Sequence, residues 1–150
     1  MEERWNPWAA LRARPDLEFG LAELPAVLGG AVYAPQPEGW AAIVIDRGLD
    51  QRRRRAALSH ELVHHERGGG CPTDDMPVQW APVVRREENV VAAEVARRLV
   101  PREELRAFVE RMTVSELGGA SARDIAEHFD VPDEVAALAV HQLGPEGGRP

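Results

Sequence analysis

A chain of 150 residues is long enough for one domain with a core of its own and short for two. With 44% hydrophobic and 29% charged residues its composition is globular, and no apolar run approaches the roughly 18 residues of a membrane span. A net charge of −7 speaks against general nucleic-acid binding, and a single cysteine, Cys71, excludes an intramolecular disulfide framework.

In chain order, the N-terminal MEERWNPWAALRARPD lacks the basic start and apolar middle of a signal peptide, so a cytoplasmic location is expected. Residues 16–24 alternate Leu17, Phe19 and Leu21 at a period of two, which predicts a strand stopped by Pro25. A second short strand is expected over 29–35. A third, over 39–46, carries the buried-type run Ile43, Val44, Ile45. Together they predict a small antiparallel sheet over 17–48. The period then changes: Asp50 is a good N-cap, the pattern is helical to Arg67, and Gly68 sits where a C-cap glycine belongs. Arg52 to Arg55 run round most of that helix and read as its solvated start, not as one basic face.

A Gly- and Pro-rich loop over 68–82 leads to a helix over 83–100, stopped by Pro101. A short helix follows over 102–112, then two more over 121–129, capped by Ser121, and 133–143, with a frayed tail over 144–150. Strands first and helices after predict an α+β fold: an N-terminal sheet followed by a helical bundle, in a single domain over 1–150. Metal-site helices fill 50–111 and a C-terminal helix pair fills 114–143.

The chemistry is concentrated in ALSHELVHHERGGG, residues 57 to 70. His60 and His64 lie four apart, so a helix projects both imidazoles from one face, the spacing that places them on one metal ion. Glu61 sits about 100° round the helix, within reach of a water at that ion without taking a ligand position. This is the HExxH arrangement of two zinc ligands and a general base. A surface histidine cluster is the bland alternative, against which Leu58, Leu62 and Val63 argue for a partly buried helix.

A catalytic zinc takes a third protein ligand. Glu87, Glu88 and Glu94 on the next helix are the candidates. Val84, Val91, Ala92, Val95 and Leu99 form one stripe with Glu88 at its middle, where a carboxylate is costly to bury without a partner. Glu87 and Glu94 fall towards the edge and read as solvated. Glu88 is the expected third ligand, an inward carboxylate paired with an arginine being the other possibility.

The stretches IVIDRGLDQRRRRAALSHELVHHERG and EENVVAAEVARRLVP resemble the ImmA/IrrE zinc metallopeptidases, a gluzincin-like family of small bacterial and phage-associated proteins. The resemblance covers roughly residues 17 to 143. It implies a third ligand thirteen residues before Pro101, which is again Glu88, and one Zn²⁺ per chain held by His60, His64 and Glu88, with Glu61 as the catalytic base. It also implies a protein substrate, such as a helix-turn-helix repressor. Where the family often carries Asn or Asp four residues after the ligand, this chain has Ala92. The last two helices have a helix-turn-helix look, yet residues 101–150 hold ten acidic residues against five arginines, so nucleic acid is not an expected partner.

The expected chemistry is metal-assisted peptide hydrolysis of narrow scope. The alternative from another class is a zinc-containing binding module that sequesters a regulator without cutting it, for which Glu61 has no use. His65, Tyr33 and His128 are the polar residues that could stabilise an oxyanion, and the sequence does not rank them. Core, sheet and surface roles are the simpler readings of the three. Cys71, in the loop seven residues after His64, reads as a bystander thiol, although a thiolate there could ligate zinc. The tryptophans read as packing anchors, with Trp5 and Trp8 pinning the N-terminal arm. The substrate's identity and the oligomeric state are not written in the sequence.

Overall fold

The structure, a computed structural model, describes residues 4–69, 77–114 and 119–144. Cys71 and most of the expected 144–150 tail lie outside the described residues. The chain divides into two compact units, Asn6–Ala92 and Met1–Trp5 together with Ala93–Pro150.

The first unit opens with helix α1 (Pro7–Arg12), which the sequence reading did not anticipate. Six residues are too few to display a 3.6 period, but its start follows the rules. The Asn6 side chain accepts from the Trp8 and Ala9 N–H groups, and Pro7 occupies a position whose missing N–H costs nothing. Trp8 then stands edge-on to Phe19, with ring centres 5.4 Å apart.

Strands β1 (Leu17–Ala22), β2 (Ala31–Pro35) and β3 (Ala41–Asp46) form one sheet in the order β1-β3-β2. The expected antiparallel sheet is in fact mixed. The β2–β3 pair is antiparallel, with Tyr33 opposite Ile43, but β1 runs parallel to β3, with Phe19 opposite Ile43. Alternation of apolar residues reports which face a strand buries and is silent on strand direction. The central place goes to β3, the most apolar of the three strands, with Ala41, Ile43 and Ile45 all buried.

Helix α2 (Gln51–Glu66) begins where Asp50 accepts from the Arg53 N–H at 2.9 Å. It lies against α1, β2 and β3. Its core residues Leu58, Leu62 and Val63 are at most 2% exposed, which closes the core of this unit together with Leu17, Ile43, Ile45 and Val91. The arginine run is only partly solvated: Arg53 is exposed, whereas Arg52, Arg54 and Arg55 are half-buried, and Arg54 donates to the Arg47 carbonyl. A 3₁₀ turn over Val78–Trp80 leads into α3 (Ala81–Leu99). The division between the units falls within this helix.

In the second unit, α3 from Ala93 onward, α4 (Arg102–Val114), α5 (Ala122–Phe129) and α6 (Asp133–Leu143) bury Val95, Leu99, Leu105, Ile125, Phe129, Val131 and Ala136. Ser121 and Asp124 form a reciprocal capping box at the start of α5, and Asp130 in the left-handed region (φ 54°) turns the chain towards α6. Trp5 lies under the Arg98 guanidinium, 5.2 Å from its ring centre, and Arg4 pairs with Glu104. Among the described residues, no helix is long and apolar enough to cross a membrane.

Leu58 is fully buried at the middle of α2. Leu58→Ala is therefore expected to cost about 3 kcal/mol of stability in a urea titration, the range for an aliphatic residue removed from a core that collapses only in part.

Candidate metal centre

The sequence brings four chemical groups to one place through two helices of the first unit. His60 and His64 project from one face of α2. His64 is almost completely buried and His60 is partly open. Glu88 on α3 reaches both: its Oε1 lies 2.8 Å from His64 Nε2, its Oε2 lies 2.9 Å from His60 Nε2, and the two Nε2 atoms are 3.1 Å apart. The three residues thus offer donor atoms all within 4.8 Å of one another, close enough to bind a metal. Glu88 pairs with both imidazoles. Glu87 and Glu94, expected to be solvated, are half-buried in ion pairs instead, Glu87 with Arg67 and Glu94 with Arg97 and Arg98.

These donors suit a small divalent ion. Bonds of about 2.0–2.1 Å in a tetrahedron set neighbouring ligand atoms roughly 3.3 Å apart, the same order as the 2.8–3.1 Å contacts among the two imidazoles and the two Glu88 oxygens. Burial holds the His60 pKa below its ordinary value despite the neighbouring Glu88 charge, which favours the neutral imidazole that ligates metals.

Glu61 supplies the second, independent sign. Its residue is 5% exposed, and its Oε2 is buried with no hydrogen-bond partner among the described residues. Burial, and next to it the Glu88 charge, push its carboxyl up to about 7. A carboxylate placed so, one residue from His60, lacks a compensating charge, which a cation at the neighbouring cluster would supply.

The end of α2 is fastened from two sides. Arg67 grips Glu87 with Nε and one Nη, at 2.6 and 3.0 Å, beside Glu88. On the other side His65 stands between Asp16, with Nε2 2.7 Å from Oδ2, and Tyr33, whose Oη is 2.8 Å from Nδ1. The chain leaves the helix through Gly68 and Gly69, both at positive φ, and Gly69 N–H returns to the His64 carbonyl. A Cβ on Gly69 would stand 2.5 Å from the Tyr33 Oη, so the backbone passes directly over the phenol.

Of the three polar residues left unranked by sequence, His65 and Tyr33 therefore meet beside the site. His128 is an exposed residue of the second unit, stacked on Phe108 at 4.3 Å between ring centres. Asp16 was missed altogether, since a lone aspartate before a strand carries no pattern that names its partner.

A family model described as the IrrE N-terminal-like domain, a peptidase family, matches residues 29–141. No match was found among curated proteins or among solved structures. The chain belongs to the IrrE N-terminal-like (ImmA/IrrE) family, and its domain is metallopeptidase-like.

Two titrations follow from this geometry. The folded-state pKa of Glu61 is raised, so its contribution to stability is full below the ordinary value of 4.5 and is lost as pH rises through about 7. Metal-free Glu61→Gln should then melt a few degrees above metal-free wild type at pH 8 and match it at pH 4. Asp16 behaves in the opposite way. The hydrogen bond from His65, ahead of the one from Arg14, lowers its pKa to about 2, so its contribution is present above 3.8 and is lost as pH falls through 2. Asp16→Asn should lower the melting temperature at pH 7, with the gap closing as the pH approaches 2.

Proposed function

We propose that this member of the IrrE N-terminal-like family is a zinc-dependent endopeptidase of narrow specificity, with one Zn²⁺ held by His60, His64 and Glu88. The observation that carries the reading is the buried, unpartnered carboxylate oxygen of Glu61 next to a cluster of three metal-binding side chains. A zinc ion bound there supplies positive charge that acidifies water and polarises a carbonyl.

The chain's own residues do the rest. His60 and His64 offer imidazole nitrogens to the ligand set, and Glu88 its carboxylate. Glu61 accepts the proton of the attacking water and returns it to the nitrogen of the leaving amine as the C–N bond breaks. Its burial suits both halves of that task, because a carboxyl balanced near neutrality gives up a proton about as readily as it takes one.

The substrate we propose is a cytoplasmic regulator, a helix-turn-helix repressor by family resemblance. The rival reading, a zinc-bearing module that binds a regulator without cleaving it, leaves the buried Glu61 with a desolvation cost and no use. Purified wild type is expected to carry near one zinc per chain by elemental analysis, and Glu88→Ala far less. Glu61→Gln should keep the zinc and lose cleavage by about 10²- to 10⁴-fold. Cleavage at the wild-type rate in Glu61→Gln would remove the general-base assignment.

A further inference from the structure

We propose that Tyr33 is a catalytic hydrogen-bond donor of this site: its O–H rests on His65 in the free protein and swings to the scissile carbonyl oxygen as that oxygen gains negative charge. The inference rests on the peptidase reading above and adds to it the group that stabilises the oxyanion.

With the His65 ring neutral, the hydrogen-bond chain has one consistent direction. Asp16 Oδ2, 2.7 Å from His65 Nε2, is a carboxylate oxygen and can only accept, so Nε2 carries the imidazole hydrogen. In the neutral ring Nδ1 is then a lone pair, and the Tyr33 O–H donates to it at 2.8 Å. Both ring nitrogens of His65 are committed, which leaves Tyr33 as the group with a mobile donor. The phenol is also held in place. It stands on the edge strand β2, and the backbone of Gly69 passes so close that a Cβ there would meet the Oη at 2.5 Å.

The chain sits on the catalytic side of α2. Glu61 and His65 are four apart on this helix, so their side chains share a face about 6 Å apart at Cβ. Tyr33 meets that face through His65. The Glu61 charge reaches the phenol and, after burial and the Asp16 charge, helps to hold its pKa above 10.0, so the hydroxyl keeps its hydrogen throughout the neutral range.

The resting bond to His65 makes the donor selective. Turning the O–H towards a neutral carbonyl exchanges one neutral acceptor for another and leaves Nδ1 unpaired, so nothing is gained in the ground state. Turning it towards a developing oxyanion forms a charge-assisted bond, about twice as strong as a neutral one. The bond is therefore made as charge appears, the condition for accelerating the chemical step and not merely binding substrate. No proton leaves Tyr33. As water's oxygen bonds to the carbonyl carbon its proton goes to Glu61, and the C–N bond breaks as Glu61 hands that proton to the amine.

The test compares wild type with Tyr33→Phe, both zinc-loaded, and reads more than turnover. Zinc content should be equal in the two proteins. By calorimetry, N-phosphoryl-leucinamide, a small tetrahedral anion, should bind the variant about tenfold more weakly or worse. On a cleaved repressor kcat should fall roughly 10²-fold with KM unchanged. A variant that matches wild type in anion affinity and kcat, or that loses only KM, overturns the role of Tyr33 alone. A wild type that takes up no zinc, or that takes it up and binds no phosphoryl anion, overturns the peptidase reading and this inference together.

Discussion

Two imidazoles and two carboxylates crowd the second half of α2 and the facing turn of α3, and balancing these groups, of which His64 and Glu61 are buried, is the constraint on which the first unit depends. Withdrawing an ion from water costs several kcal/mol unless its neighbours replace the lost hydration. Glu88 recovers part of that cost by meeting both imidazoles at once. Glu61 does not, and the strain appears as a carboxyl that ionises only near neutrality. Leu58, Leu62 and Val63 on the same helix, and Ile43 and Ile45 on the strand beneath, provide the dry walls that hold this balance. The apolar core and the polar cluster are thus parts of one device. The core supplies the desolvation that raises the Glu61 carboxyl towards neutrality, and a cation is the natural counterweight to it.

The fastenings at the end of α2 act on position more than on stability. Arg67–Glu87 is at least partly open to solvent, where an ion pair contributes little net energy because water screens it and ordering the side chains costs entropy. The Asp16–His65 hydrogen bond is likewise partly exposed on its Asp16 side. Their geometry is another matter. One ties the last turn of the helix to the turn of α3 that bears Glu88. The other ties the residue after His64 to the segment before β1 and to β2. A ligand set needs its donors placed to within a few tenths of an ångström, and two crosslinks either side of His64 restrict the helix end more than packing alone does.

What could be read from the sequence was what is local or periodic. His60, Glu61 and His64 lie within five residues, so helix geometry alone brings them together. Glu88 comes from 24 residues beyond His64, yet it betrays itself as a carboxylate in the centre of an apolar stripe, the one place where a helix carries a charge only at a cost. Asp16 has no such signature: its partner His65 is 49 residues away, and nothing around it is unusual until the chain is folded. The role of His65 was hidden for a related reason. Beside His64 on the helix it points elsewhere, and which strand awaits it depends on the order in which the sheet is assembled. That order, with β1 parallel to a central β3, lay beyond a pattern that speaks of faces and not of directions. Helix α1 escaped because one and a half turns are too short for a period, although Asn6 and Pro7 announce its start.

The close passage of Gly69 over Tyr33 has a consequence for how this protein can vary. Any larger residue at 69 would have to tolerate a left-handed backbone and also find room where the phenol oxygen already sits. Removing the hydroxyl at 33 would take away the 2.5 Å contact but leave the ring carbon Cζ at 3.1 Å and the left-handed backbone at 69. The two positions, 36 residues apart in the chain, are thus coupled through space: what stands at 33 sets how much room the exit from the helix has at 69.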